Sequence, residues 1–338
     1  MWEATAGLPE QVALAASACE IENRAELPAH DDIENVVLLG MGGSGIAGDI
    51  LLASAAPFMA VPAVVVKSYT LPAFVNENSL VIAVSFSGDT EETLEAAAEA
   101  QVASAQLVVV SGDGQMRSLA QDAGAPYVSV IEGPPVPRAA IGAIAIPPLL
   151  ILEAVGLFPG AHGWIDAAVA QLRRRRDQLI ADDSAAEQLA RRIGGTFPLM
   201  HSSGGLGAAA VTRWKGEINE NAKAPAFGAI NPELCHNEIV GWGQHGDITR
   251  QLITLVQLRH DHEHPQVMRR YDLVTEIVRE VMAGIEIVNA EGEGELAQLF
   301  DLVLFGDFVS LHMAAAQGID PGPTPILDEL KAELSQAL

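Results

Sequence analysis

In the first half of the chain, short uninterrupted apolar runs alternate with segments of helical period. The runs are NVVLLG (35–40), VPAVVVK (61–67), LVIAVS (80–85), QLVVVSG (106–112) and APYVSV (125–130), with GIAGDILLASA and EETLEAAAEAQVAS among the helix-like segments between them. A strand wetted on one face alternates apolar and polar residues, whereas a strand covered on both faces is apolar throughout. The pattern therefore predicts an α/β fold of doubly wound type, a mainly parallel sheet flanked by helices. The second half restarts it. Residues 196–214 (TFPLMHSSGGLGAAAVTRW) repeat the form of residues 35–53, apolar strand then Gly/Ser turn then helix, and further strands are expected at 251–258 and 284–290. A repeat of this length implies two domains, 1–158 and 159–338, with a polar helical stretch over roughly 164–193 between the two sheets.

One apolar stretch, 139–158 (AAIGAIAIPPLLILEAVGLF), is long enough to raise the question of a membrane span. Pro147-Pro148 interrupt it and Glu153 lies inside it, so a buried turn followed by a core helix is expected instead.

Composition narrows the function. Of 338 residues, 49% are hydrophobic and 19% charged, as in a folded globular protein, and the formal net charge is −25. A field of that sign repels nucleic acid and anionic membranes. It repels a phosphorylated substrate too, so a phosphate site must work through short-range hydrogen bonds and helix N-termini. Two cysteines, Cys19 and Cys235, make no disulfide framework. The N-terminal segment has neither a basic start nor an apolar signal core, which points to a cytoplasmic protein. The basic run Arg173–Arg176 reads as a solvated helix face.

Five motifs could carry chemistry. GMGGSGIAGD (40–49) puts glycines directly after a strand, where the backbone can approach an anion at the next helix N-terminus. Gly40-x-Gly42-x-x-Gly45 also fits a dinucleotide fingerprint, but the second strand ends in Lys67-Ser68, without the ribose-binding acid. Ser44, inside the turn, instead suits a phosphate. VSFSGDTEET (84–93) adds Ser85, Ser87 and Thr90 in one loop; helix capping accounts for one such hydroxyl, not for three beside a second Gly/Ser turn. RWKGEINENAKAP (213–225) places Glu217 and Glu220 on one helix face, with Arg213 and Lys223 at ion-pair spacing. A solvated charged face would explain those charges, but not Asn219 and Asn221, which are poor helix formers. NPELCHNEIVGW (231–242) contains His236, and PGPTPILDELKAEL (321–334) leads prolines into an amphipathic helix carrying Lys331.

Together GMGGSG, SxSGxTxET, NENAK, the histidine sixteen residues beyond the NENAK glutamate, and PTPxxxxLK resemble the bifunctional phosphoglucose/phosphomannose isomerase family, built from two sugar-isomerase (SIS) domains, from about residue 35 to the C-terminus. The resemblance implies an aldose–ketose isomerase interconverting glucose 6-phosphate and mannose 6-phosphate with fructose 6-phosphate, without metal or cofactor, acting as a homodimer with a shared active site. It implies phosphate contacts from Gly43, Ser44, Ser85, Ser87 and Thr90, and a catalytic base at Glu220. Arg138, in VPRAA, would stand beside the reacting carbons. His236, from the partner subunit, and Lys331 would open the sugar ring, and Thr324 would line the substrate. The chain departs from the family at Asp89, whose charge lies near the phosphate loop and costs affinity unless it caps a helix or points away.

The alternatives are a non-catalytic sugar-phosphate-binding SIS regulator, which has no need of a placed base, a nicotinamide-dependent oxidoreductase, disfavoured by Lys67, and an amino-sugar isomerase, which would lack NENAK and PTP. His260, His262 and His264 in a polar loop make a weak metal motif. EGEGE (291–295) reads as an exposed turn and Cys235 as a bystander.

Overall fold

A computed structural model describes residues 1–336. The chain opens with helices α1 (Trp2–Ala6) and α2 (Leu8–Ser17). It then alternates β1 (Asn35–Leu39), α3 (Gly42–Ser54), β2 (Ala63–Val66), β3 (Ser79–Ser85), α4 (Glu91–Val102), β4 (Gln106–Ser111), α5 (Gln115–Ala123) and β5 (Tyr127–Ser129). Helices α6 (Ile141–Ala154), α7 (Ala161–Leu179) and α8 (Ala185–Ile193) lead to β6 (Phe197–Ser203), α9 (Gly204–Asn221), β7 (Phe227–Asn231), α10 (Gly246–Leu252), β8 (Ile253–Arg259), α11 (Pro265–Val278) and β9 (Gly284–Asn289). Two helices end the chain, α12 (Glu295–Ala316) and α13 (Pro325–Gln336).

The strands form two parallel sheets, ordered β2-β1-β3-β4-β5 and β7-β6-β8-β9. All five strands expected in the first half are present, and β3 is buried at every position. In both sheets the strand order reverses beside the first strand, between β1 and β3 and between β6 and β8. Ligands of open α/β sheets bind in the crevice at such a reversal, outside the carboxyl ends of the strands.

Three expectations need correction. Pro147 and Pro148 do not break 139–158: a 3₁₀ turn at Pro137–Ala140 runs into α6, which continues through both prolines. Residues Ile141–Leu152 are all buried, with α6 packed between α2 and α3. A helix enclosed on all sides gains enough from burial to offset the two missing N–H bonds. The run Arg173–Arg176 is not uniformly solvated: Arg175 is buried against the fully buried Asp301 at 2.8 Å, because a charge inside α12 requires a counter-charge. Residues 251–252 belong to α10, so β8 begins at Ile253.

The 3₁₀ turn with α6 (Pro137–Ala154) and helix α12 are each long and apolar enough to raise the membrane question, and both are mostly buried in the protein core. Helix α12 packs on α7, α8 and α9, and α3 packs on α9. Gly205, at the start of α9, lies against Ala53 near the end of α3. The start of α3 meets the far half of α9, so the two helices run antiparallel.

Candidate active site

The β1–α3 turn is built by glycine. Gly42 opens α3 at φ +51°, a conformation that costs glycine nothing. A side chain at Gly43 would stand 3.1 Å from the Pro137 carbonyl, so the turn and the 137–138 segment approach to backbone distance. Ser44 follows, buried, its Oγ accepting from the Phe86 N–H at 3.2 Å across the strand reversal.

The loop after β3 lies beside it. Ser85 is fully buried; its hydroxyl bonds Thr90 Oγ1 at 3.0 Å and accepts from the Gly88 N–H at 3.1 Å. Thr90 is the N-cap residue of α4 without making a side-chain cap bond, and Ser87 is exposed, accepting from the Asp89 N–H at 3.2 Å. Asp89 points away from the hydroxyls and accepts from the Gln115 N–H at 3.0 Å, at the start of α5. Its charge is therefore spent on a neighbouring helix N-terminus.

Helix α9 supplies the opposite wall. Arg138, 4% exposed, comes from the 3₁₀ turn before α6 and reaches Glu220, 82 residues away in sequence, with Nη1–Oε2 at 3.2 Å. Its Nε donates to Asn221 Oδ1 at 3.0 Å, and its Nη2 to the carbonyls of Pro321 and Gly322 at 2.5 and 2.7 Å. The segment leading to Thr324 is thereby tied to the same guanidinium. Beneath this pair, Arg213 clamps Asp307 of α12 through two bonds of 3.0 and 2.7 Å and meets Glu217 at 2.8 Å. Burial pushes the Glu217 carboxyl up to about 8; Asp307 and Glu220 add to the rise, and Arg213 and Arg138 oppose it. A cavity of about 240 Å³ opens between these walls, touching Gly42, Gly43, Arg138, Glu217, Glu220 and Lys67.

Of the expected site residues, the fold brings together Gly43, Ser44, Ser85, Ser87 and Thr90 at one strand reversal, and pairs Arg138 with Glu220 at the edge of the cavity. Neither His236 nor Lys331 lines that cavity within this chain. His236 stands exposed on a 3₁₀ turn after β7, and Lys331 on the exposed α13. Helix α13 leaves Ile326, Leu327, Leu330 and Leu334 between 43% and 78% exposed, without the core its spacing suggested.

The expected pair Arg213–Glu217 forms at its i,i+4 spacing. Asn219 ties the end of α9 to the Ala224 carbonyl. Sequence reasoning missed Asp307, a single acid in an apolar helix, and the Pro321 and Gly322 carbonyls, for which side-chain identity carries no signal. Lys67 was noticed only as a misfit to a dinucleotide site; it lines the cavity and pairs with Asp49 at 2.5 Å. The loop histidines each have a structural contact: His260 bonds the Ser203 carbonyl, His262 pairs with Glu295, and His264 caps α11.

Residues 182–334 match the family described as the bacterial phospho-glucose isomerase C-terminal SIS domain. Over 99% of both chains, the sequence is 32% identical to the bifunctional phosphoglucose/phosphomannose isomerase of Caldicellulosiruptor bescii. The chain belongs to the bifunctional phosphoglucose/phosphomannose isomerase family. The Aquifex aeolicus member is 30% identical over 90% of this chain and 91% of its own. Among solved structures, a hypothetical protein from Thermus thermophilus superposes with a TM-score of 0.74 at 15% identity, over 98% of this chain and 89% of that one, a likeness of fold.

Proposed function

We propose that this family member interconverts glucose 6-phosphate and mannose 6-phosphate with fructose 6-phosphate. The observation that carries the reading is the Arg138–Glu220 pair, 3.2 Å apart at a cavity whose opposite wall is the Gly42-Gly43 turn. Isomerisation moves a proton between C2 and C1 through a cis-enediol. One carboxylate, Glu220, takes and returns it. The guanidinium of Arg138 stabilises the developing enediolate oxygens. Gly43, Ser44, Ser87 and Thr90 hold the phosphate, with Ser85 orienting Thr90, so that binding at the far end places C1 and C2. Glucose and mannose 6-phosphates differ only at C2 and share one enediol, so rotation about C2–C3 presents either proton to the same base.

His236 and Lys331 open the ring, His236 reaching the site from a partner subunit. The uncovered apolar face of α13 supports a homodimer, as does the cleft of about 560 Å³ lined by Leu199, Val211, Phe227, Ile230 and Trp242 beside the His236 segment. Thr324 borders the substrate at the start of α13. A division near residue 158 gives each domain one sheet, and the reaction belongs to the cytoplasm.

The test is an NMR time course with fructose 6-phosphate in D₂O and EDTA. Glucose and mannose 6-phosphates carrying deuterium at C2 are expected, and their absence would overturn the reading. A binding-only regulator would bind the sugar phosphate without turnover. Mixing Glu220→Gln and His236→Ala chains, each inactive alone, should restore about a quarter of wild-type activity if sites are shared across a two-fold axis; no recovery removes the shared site.

A further inference from the structure

The NENAK segment contains a residue whose side chain faces away from the expected base and has no role in the reaction as set out above. Asn221 is fully buried, at the last position of α9. Its Oδ1 accepts from Arg138 Nε at 3.0 Å, and its Nδ2 donates to Glu217 Oε2 and to Ser310 Oγ, both at 2.9 Å. Every hydrogen of this amide is used, and its orientation is dictated, because a flipped amide would set N–H against N–H at Arg138.

Glu217 lies behind it, equally enclosed, one oxygen on Asn221 and the other on Arg213. Arg213 in turn donates Nη2 to the backbone carbonyl of Arg138 at 2.8 Å. Arg138 is thus gripped twice from one platform: its guanidinium through Asn221, its backbone through Arg213. What remains for Nη1 is the edge directed at Glu220.

We propose that Asn221 and Glu217 are positioning residues, which fix the guanidinium plane of Arg138 so that Nη1 faces the carbon chain where the enediolate charge develops. Both oxygens of Glu217 are engaged, by Asn221 and by Arg213, so it acts through the amide that orients the arginine. The platform joins α9 to Asp307 and Ser310 of α12, so a pair brought together from distant sequence is held in one geometry before substrate arrives. A donor already aimed at the developing charge costs no reorganisation during the reaction.

This inference rests on the isomerase reading, and a double-mutant cycle separates the two. Arg138→Ala should lower kcat by about 10²- to 10³-fold, the usual effect of losing one preorganised donor. Asn221→Ala should lower kcat by roughly tenfold with KM within about twofold, and in the Arg138→Ala background it should cost less than about twofold, because the group it positions is gone. Equal losses in both backgrounds, or a loss confined to KM, would overturn the proposal. Should Asn221→Ala fail to fold, the isosteric Glu217→Gln gives the second arm, with a smaller kcat loss that also vanishes without Arg138. If the wild-type protein binds fructose 6-phosphate but does not turn it over, the isomerase reading falls alone. The same cycle on fructose 6-phosphate affinity then decides the positioning claim, coupling supporting it and additivity sinking it.

Discussion

The two strand–turn–helix units of this molecule begin alike and end differently. Both helices open on a left-handed glycine, Gly42 in α3 and Gly204 in α9, so Ser44 occupies the place that Leu206 takes in the second unit. Strand pairing and the starts of α4 and α11 set Ser85, Ser87 and Thr90 against Arg259, Asp261 and His264. Every hydroxyl of the first crevice has become something else. Leu206 joins the core, Arg259 pairs with Glu263 over the Tyr271 ring, and the Ser202 hydroxyl is spent on the Leu258 carbonyl. At the other end the asymmetry reverses. Helix α3 stops at Ser54, whereas α9 continues to Asn221, and that additional length carries Glu217, Glu220 and Asn221. Antiparallel packing then brings the glycine-built start of α3 to the end of α9 that carries Glu217 and Glu220. The two units thus present different halves: hydroxyls around the start of α3, and acids and an amide at the end of α9.

Removing the equipped end should have the largest effect. Glu220→Gln should reduce turnover by about 10³-fold or more while fructose 6-phosphate still binds, since the phosphate crevice is untouched. Calorimetry beside the NMR assay reads both quantities. Loss of binding together with turnover would mean the two halves are not separable as described.

The next contrast is between the crevices. Ser44→Ala and Thr90→Ala should each raise KM for fructose 6-phosphate by roughly ten- to a hundredfold, the value of a hydrogen bond to a charged group. Ser202→Ala, in the second crevice, should leave KM unchanged and lower only the unfolding free energy, by about 1 kcal/mol. A KM effect at Ser202 would show that the second crevice also engages substrate.

Much of this division is visible in the sequence, and the invisible part has physical causes. The strands of the first sheet are unbroken apolar runs, and the two glycine turns announce themselves by form. Strand β7 was missed because Phe227–Asn231 is a short edge strand with its first residues exposed, so it shows neither a continuous nor an alternating pattern. The burial of α6 is as expected, but the break at its prolines is not, because a local rule about proline does not hold in a segment whose stability comes from enclosure. Asn221 could be suspected from its poor helix propensity, and it does have a local purpose. Asp307 could not, since its partner lies 94 residues away in sequence. Residues whose meaning is a contact between helices α9 and α12 leave no spacing to read.

The buried platform under Glu220 has no counterpart in the first unit, and acidity can reveal it. Glu217 rises from 4.5 to about 8, chiefly through burial, and Asp307 beside it is also raised. Between about pH 4.5 and 8 the folded chain is therefore expected to hold a proton that the unfolded chain has released. Its contribution to stability is complete below about pH 4.5 and is lost as the pH climbs through about 8. Urea unfolding of the wild-type protein should show stability declining between about pH 5.5 and 8 more steeply than in Glu217→Gln, with the slope belonging to the Glu217–Asp307 pair. Parallel slopes would mean that Glu217 is ionised in the folded protein throughout.

The smallest expected effect compares equivalent glycines directly. Gly43 and Gly205 are the second residues of α3 and α9. A methyl group at Gly43 would meet the Pro137 carbonyl at 3.1 Å, in the segment that carries Arg138, whereas at Gly205 it would meet Ala53 Cα at 3.4 Å and nothing of the site. Gly43→Ala must move either the turn or the Pro137–Arg138 backbone by a few tenths of an ångström. Misplacement on that scale is costly only where donors are aimed at a reacting atom. Gly43→Ala should accordingly lower kcat/KM by about threefold to tenfold with little change in melting temperature. Gly205→Ala should leave kcat/KM unchanged and, by replacing glycine in a helix, stabilise the fold by up to about 1 kcal/mol. If both substitutions lowered activity alike, the two turns would share the work, and the second unit would have kept more of its original half than its side chains indicate.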